Sequence, residues 1–168
     1  KASAEAGITV GSHRFFQSFV DLNQPLNTNK TVLFRFTGEY TGSNNYVNVL
    51  DQDRYSLNPT LTLTNKTDTS LTIQGRASHV NQQTYQGLPA VGTVAGNFRI
   101  DPQLFIGPSN IPRGFSDTKS VTVTLDKKFD SVFSGQIKGR WSKSNSDQKT
   151  QLIVSDDATG AAPLTGTA

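Results

Sequence analysis

Residues 131–142 read apolar, polar, apolar, polar with hardly a break. Phe133, Gly135, Ile137, Gly139 and Trp141 fall on one side, and Ser134, Gln136, Lys138, Arg140 and Ser142 on the other. Successive side chains of an extended strand leave opposite faces, so this is a strand with one apolar and one polar face. The pattern recurs six more times, near 4–10, 15–23, 31–41, 54–64, 70–80 and 119–127. The best examples set Val32, Phe34, Phe36, Gly38 and Tyr40 against Leu33, Arg35, Thr37, Glu39 and Thr41, and Leu71, Ile73, Gly75, Ala77 and His79 against Thr72, Gln74, Arg76 and Ser78. Such strands have two ways to take the apolar face out of water. Two sheets pack face to face, or one curved sheet turns that face to lipid and the other to a watery lumen.

Two positions break the rule. Phe19 interrupts the polar face of the second segment, and Pro59 sits inside the fourth, between Leu57 and Leu61. Proline has no amide hydrogen for a ladder, so Pro59 predicts a local bulge or one missing bond.

The connections alternate in length. Short turns follow the second, fourth and sixth segments, at Gln24–Lys30, Asn65–Thr69 and Lys127–Asp130. Longer stretches follow the third, fifth and seventh: Gly42–Asp53, Asn81–Thr118 and the tail from Lys143. Gly11-Ser12-His13-Arg14 reads as a tight turn. Antiparallel strands send alternate connections to opposite ends, so one end is trimmed and the other elaborated, as in outer-membrane barrels. Tyr40, Tyr55 and Trp141 all lie toward the elaborated end, where a girdle of interfacial aromatics is expected.

Composition agrees. Hydrophobic residues make up 34% and charged residues 17% of 168, too few apolar groups for a thick soluble core and too few charges for disorder by repulsion. The net charge of +3, with no basic run beyond Lys127-Lys128, gives no footprint for nucleic acid. Without cysteine there is no disulfide or thiolate metal site. No run of about 18 apolar residues is present for a transmembrane helix. The absence of any methionine fits a processed or partial chain.

Several segments together resemble the start of the barrel in TonB-dependent siderophore receptors, with the ferrichrome- and hydroxamate-type branch most similar. They are Asn23-Gln24-Pro25-Leu26-Asn27, Phe36-Thr37-Gly38-Glu39-Tyr40, Tyr55-Ser56-Leu57-Asn58-Pro59-Thr60-Leu61-Thr62, Tyr85-Gln86-Gly87-Leu88-Pro89, Phe105-Ile106-Gly107-Pro108-Ser109 and Arg140-Trp141-Ser142. The resemblance runs in order along essentially the whole chain. It implies an all-β antiparallel meander, residues 1–168 forming about seven strands of a single curved sheet from a roughly 22-stranded transmembrane barrel. It also implies a bacterial outer-membrane location, import of ferric siderophores, no enzymatic activity, and TonB as partner through a plug domain outside this sequence. The plug and about fifteen later strands are expected elsewhere.

No catalytic constellation and no metal site is apparent. His13 and His79 are far apart, and Asp156-Asp157-Ala158-Thr159-Gly160 lacks the spacing of a calcium loop. The two Asn-Lys-Thr sequons, at Asn29 and Asn65, fall at short turns. The stretch 81–118 is too long for a mere connector and holds Tyr85, Phe98, Arg99, Phe105, Arg113 and Phe115. The resemblance makes Tyr85 the first ligand candidate, because related receptors contact ligand through aromatics just before a Leu-Pro pair. Gln86, Leu88, Phe98, Arg99 and Phe105 complete the expected ligand-binding set. Here Gly87 precedes Leu88 directly, and the family's extra aromatic beside the leucine has no counterpart. On the lumen face Arg35, Glu39, Arg76, Lys138 and Arg140 are expected either to hold the plug or to stay solvated. The competing reading is a soluble β-sandwich binding module, lectin or adhesin in kind, with Phe34, Leu61 and Ile137 buried between two sheets. A hydrolase on a β-scaffold ranks last.

Overall fold

All seven alternating segments are strands of one antiparallel meander in the computed structural model, which describes residues 2–89, 91–107, 110, 112–149, 152–154 and 165–167. The strands are β1 (Ser3–Val10), β2 (Phe16–Pro25), β3 (Val32–Asn44), β4 (Asp51–Thr64), β5 (Thr69–Gln82), β6 (Gly114–Lys128) and β7 (Ser134–Asp147). They lie in sequence order in a single unclosed sheet. Two short strands, β8 (Leu152–Val154) and β9 (Thr165–Thr167), pair separately. The Asp156–Gly160 stretch lies outside the described residues.

Among the described residues no second layer covers the sheet, so the sandwich reading is overturned. Ile137 is 72% exposed, and the described buried apolar residues, Val47 and Leu50, sit in the β3–β4 connection rather than on a strand.

The short end is closed by side chains that replace missing backbone partners. Asn27 Oδ1 accepts the amides of Thr31 and Val32 at 2.9 and 3.1 Å. Asn65 Oδ1 accepts those of Thr67, Asp68 and Thr69. Asp130 Oδ1 accepts those of Val132 and Phe133, both at 2.7 Å. Asn and Asp serve here because their short side chains stand in for a backbone carbonyl toward amides two to five residues on. At the other end His13 and Arg14 both take φ of 55°, the left-handed pair of a two-residue hairpin turn.

Both irregular residues find a local solution. Phe19 lies across Gly7, its register partner on β1; a Cβ on Gly7 would stand 2.3 Å from the Phe19 ring. The ring covers bare backbone that glycine leaves at an outer strand. Pro59 causes no bulge. Leu57 pairs with Ala77 and Thr60 with Gln74, an unshifted register, so a ladder interaction is lost and no residue is inserted. Gly75 lies across from Pro59 and leaves room for the ring, whose Cγ would be 3.0 Å from an added Cβ.

At the elaborated end the strands outrun the alternation. β3 continues to Asn44, β4 starts at Asp51, β5 reaches Gln82, β6 starts at Gly114 and β7 continues to Asp147. The intervening connections shrink to 45–50 and 83–113. Apart from Phe115, polar residues and glycine occupy both faces of these extensions, so the period of two disappears while the hydrogen-bond ladder persists.

Between β2 and β7 the apolar band steps down the ladder, while on β3, β4 and β5 its centres, Phe36, Pro59 and Gly75, share one row. On β2 it runs from Phe16 to Leu22, centred on Phe19. Following register partners from Phe19 through Glu39, Ser56, Ser78 and Thr118 leads to Ser144 on β7. The band on β7 instead runs from Ile137 to Trp141, centred five residues lower at Gly139. Five residues are about 17 Å and five strand spacings about 24 Å, a slope of roughly 35°, which lies at the edge of the tilt of outer-membrane barrel strands. At that tilt Tyr40 and Trp141, which the ladder separates by four residues, stand at one height. The four-residue drop (about 13 Å along the strand) and the rise across four strands (about 19 Å) each project to roughly 11 Å. Along β3 the band from Val32 to Tyr40 spans about 22 Å in the same projection, close to the apolar height of such barrels.

Candidate functional site

The elaborated end is where this chain has shape beyond a sheet. The β3–β4 connection buries Val47 and Leu50, 3% and 8% exposed, and the Asn48 amide donates to the Gln103 carbonyl at 2.9 Å. Two connections far apart in sequence are thereby docked on each other. Arg113, just ahead of β6, pairs with Asp53 through Nη1 at 3.0 Å and with Asp51 through Nη2. This arginine ties the long loop to the start of β4, and its charge is spent there.

Tyr85 and Phe105 stack with ring centroids 5.4 Å apart at 29°. The Tyr85 hydroxyl donates to the Leu104 carbonyl at 2.9 Å. Partial burial pushes the phenol pKa up, and the nearby Tyr46 adds to the shift. The hydroxyl therefore stays protonated at neutral pH and remains a donor. Tyr46 is 56% exposed, so an aromatic group stands open beside the stacked pair. Tyr85 also borders a cleft of about 440 Å³ between the two connections, lined by Asn44, Asn45, Leu50, Gln52 and Gln82 among others. Its size suits a small organic ligand.

The sequence-derived set divides. Tyr85 and Phe105 come together. Leu88 is half-buried, while Gln86 is exposed with no hydrogen-bond partner among the described residues. Phe98 packs elsewhere, against Gly92 and Ile100, where a Cβ on Gly92 would stand 2.4 Å from its ring. Arg99 is exposed and reaches only the Phe98 carbonyl, at 3.5 Å, which leaves it the unspent arginine of the two in this loop. Phe115 is not a loop residue. It stacks on His79, which also stacks on Tyr55 and bonds Asp117 through Nδ1 at 2.7 Å. Pro108 and Ser109 lie outside the described residues. Tyr46, Val47 and Leu50 were not singled out by the ligand reading. Their signal was weak: apolar residues spaced by three and four in an otherwise polar stretch.

On the polar face Arg35 pairs with Asp21 at 2.7 Å, and Glu39 accepts from Gln17 at 3.1 Å with Arg54 3.6 Å away. Arg76, Lys138 and Arg140 have no ion-pair partner among the described residues. No cluster of metal-ligating side chains occurs among the described residues.

No family model and no curated protein matches the sequence. Solved structures do match the fold. The ferric-catecholate import receptor Fiu of E. coli K12 superposes with a TM-score of 0.82 at 17% identity, over 92% of this chain and 25% of that one. The pyoverdine outer-membrane receptor FpvA of Pseudomonas aeruginosa PAO1 gives 0.81 at 14% identity, over 93% and 23%. The ferripyoverdine receptor of the P. aeruginosa outer membrane, bound to ferripyoverdine, gives 0.80 at 16% identity, over 93% and 21%. These likenesses define the fold, a curved antiparallel sheet like part of the β-barrel of those receptors. The chain spans about a quarter of the length of the receptors it matches.

Proposed function

We propose that this chain is part of the barrel wall of an outer-membrane receptor that imports ferric siderophores. The observation that carries the reading is the apolar band on one unclosed sheet. Its apolar height and aromatic edge suit a bilayer. The apolar face meets lipid and the polar face a lumen. Energy comes from TonB through a plug domain, and the unpartnered Arg76, Lys138 and Arg140 supply cationic contacts to that plug. The docked connections carrying Tyr85, Phe105 and Tyr46 form part of the outer ligand vestibule. There the aromatic faces pack on the siderophore, and Arg99 draws its anionic groups. Gln86, Leu88 and Phe98 shape the surrounding loop.

The similar receptors include one for ferric-catecholate import and one bound to ferripyoverdine. The sequence segments point instead to the hydroxamate branch. The experiment is uptake of radioactive iron by iron-starved bacteria whose receptor contains this chain, offered hydroxamate, catecholate and mixed siderophores. Uptake of a hydroxamate complex that vanishes without TonB is the expected result. Uptake of catecholates alone replaces the ligand class, and a receptor that moves no ferric complex overturns the transport reading.

A further inference from the structure

A row of uncharged side chains lines the cleft beside Tyr85. Ser43, Gln52 and Gln82 are register partners across β3, β4 and β5, so they stand side by side on the polar face at the last rungs of the ladder. All three border the cleft of about 440 Å³, together with Asn45 and Tyr85. Much of their hydrogen-bonding capacity is unspent. Gln52 Nε2 donates to Ser43 Oγ at a long 3.3 Å, and Asn45 Oδ1 accepts the Val47 amide at 3.2 Å. The Gln52 side-chain carbonyl, the Asn45 side-chain amino group and both ends of the Gln82 side-chain amide have no hydrogen-bond partner among the described residues. The charge around the cleft is negative. Its lining includes Asp51 and, among the described residues, no lysine or arginine. Asp51 shares Arg113 with Asp53, so one carboxylate charge stays uncancelled. Arg54, the next residue below Gln52 on the same face, is set against Glu39 at 3.6 Å. Arg76, six residues below Gln82 on β5, is about 20 Å away along the strand, well beyond the screening length of about 8 Å.

We propose that this cleft takes the amide backbone of an electroneutral ferric hydroxamate, with Gln52 and Gln82 as the residues that set specificity. A glutamine side chain presents one acceptor and a donor group, the complement of what a backbone amide presents. Three hydroxamates cancel the charge of Fe3+, whereas three catecholates leave a trianion. The trianion would give up water beside an uncancelled carboxylate, and like charges so juxtaposed at an interface are strongly disfavoured. A neutral complex escapes that cost and exchanges water for amide partners. Its hydroxamate oxygens remain for Arg99, which is not among the lining residues. The inference rests on the siderophore-receptor reading and adds the charge and scaffold of the ligand.

The test uses the whole receptor containing this chain, purified in a non-ionic detergent and titrated with two probes. One is ferrichrome, a neutral ferric hydroxamate on a peptide ring; the other is ferric enterobactin, a trianionic tris-catecholate. The parent is expected to bind ferrichrome about a hundred-fold more tightly. Q52L/Q82L should weaken ferrichrome about thirty-fold, the net worth of two amide hydrogen bonds, and leave the catecholate where it was. Q52K/Q82K should bind the catecholate more tightly than the parent does and ferrichrome no better. That gain decides the matter even if the leucine pair fails to fold, since misfolding cannot strengthen binding of one ligand. Equal affinity of the parent for both probes overturns the charge selection. Parent-like ferrichrome binding by Q52L/Q82L overturns the amide contacts. A parent that binds neither probe overturns the cleft assignment. The receptor reading stands or falls separately, on iron uptake with the wider panel of siderophores.

Discussion

Tyr85 is held from two sides, by the Phe105 ring and by its bond to the Leu104 carbonyl, so its outer ring face is fixed before any ligand arrives. A rigid aromatic loses little entropy on binding. Tyr85→Ala in the complete receptor should weaken binding of its best ferric siderophore by about 1–3 kcal/mol, by titration, with the barrel still folded. Tyr46 lies close enough to couple electrostatically to Tyr85, so it is no independent control although it belongs to another connection. Phe98, packed on Gly92 and Ile100, serves instead, and Phe98→Ala should leave affinity within a few tenths of a kcal/mol. Equal losses from both would mean the loop acts as one packed body. At the opposite end Asp68 is held well below the usual carboxylate range, first by Asn65, then by Lys127 and Thr69. Asp130 is lowered by the Phe133 and Val132 amides. A depressed folded pKa means stability fully present above the unfolded value of about 3.9 and lost as pH falls through the folded value. The melting temperature should therefore stay level down to about pH 4 and fall below it, and Asp68→Asn should flatten that fall. An unchanged acid limb in Asp68→Asn would show that the turn carboxylate does not contribute.

At the scale of the element, the period of two located all seven strands because each has one face that must be apolar. Where that demand stops, the signal stops. The extensions to Asn44, Gln82 and Asp147, and those starting at Asp51 and Gly114, are polar or glycine on both sides apart from Phe115, so their composition does not separate strand from loop. Pro59 allowed two outcomes, and the unshifted register across it shows the missing ladder bond rather than the bulge. Phe19 looked like an error of pattern, yet the residue it covers, Gly7, was legible only once β1 and β2 were in register. The candidate site was legible in part for a related reason. Tyr85 and Phe105 lie twenty residues apart and could be paired only by the loop's own folding, and the docking of Val47 and Leu50 has no periodic trace. The two faces make a sharp prediction. Ile73 stands near the middle of the band, so Ile73→Arg should cost about 2–4 kcal/mol of barrel stability in lipid. Its neighbour Thr72 faces the other way, bonded to Thr62 at 3.3 Å, and Thr72→Arg should cost much less. Equal losses in unfolding titrations would reverse or erase the assignment of faces.

At the scale of the whole molecule, the sheet makes sense as wall rather than as core. Its strands bury almost no apolar side chain among themselves, and its two outer strands, β1 and β7, each leave one side unpaired within this sheet. Closure and lipid are what such a sheet requires. The central claim is that the apolar band lies in a bilayer with the strands tilted by roughly 35°. The chain has no cysteine, so single cysteines at Tyr40, Trp141 and Asn145 are unique within it, and each carries a spin label once any cysteine elsewhere in the receptor is replaced. In the receptor reconstituted in vesicles, the ratio of oxygen to nickel-chelate accessibility reads the depth of each label. The account predicts that the labels at 40 and 141 report the same depth, at the edge of the hydrocarbon, while the label at 145 reports water. Labels at 40 and 145 matching in depth, with 141 buried well below them, would mean that the band follows the ladder rows and that the strands are not tilted in a membrane as described.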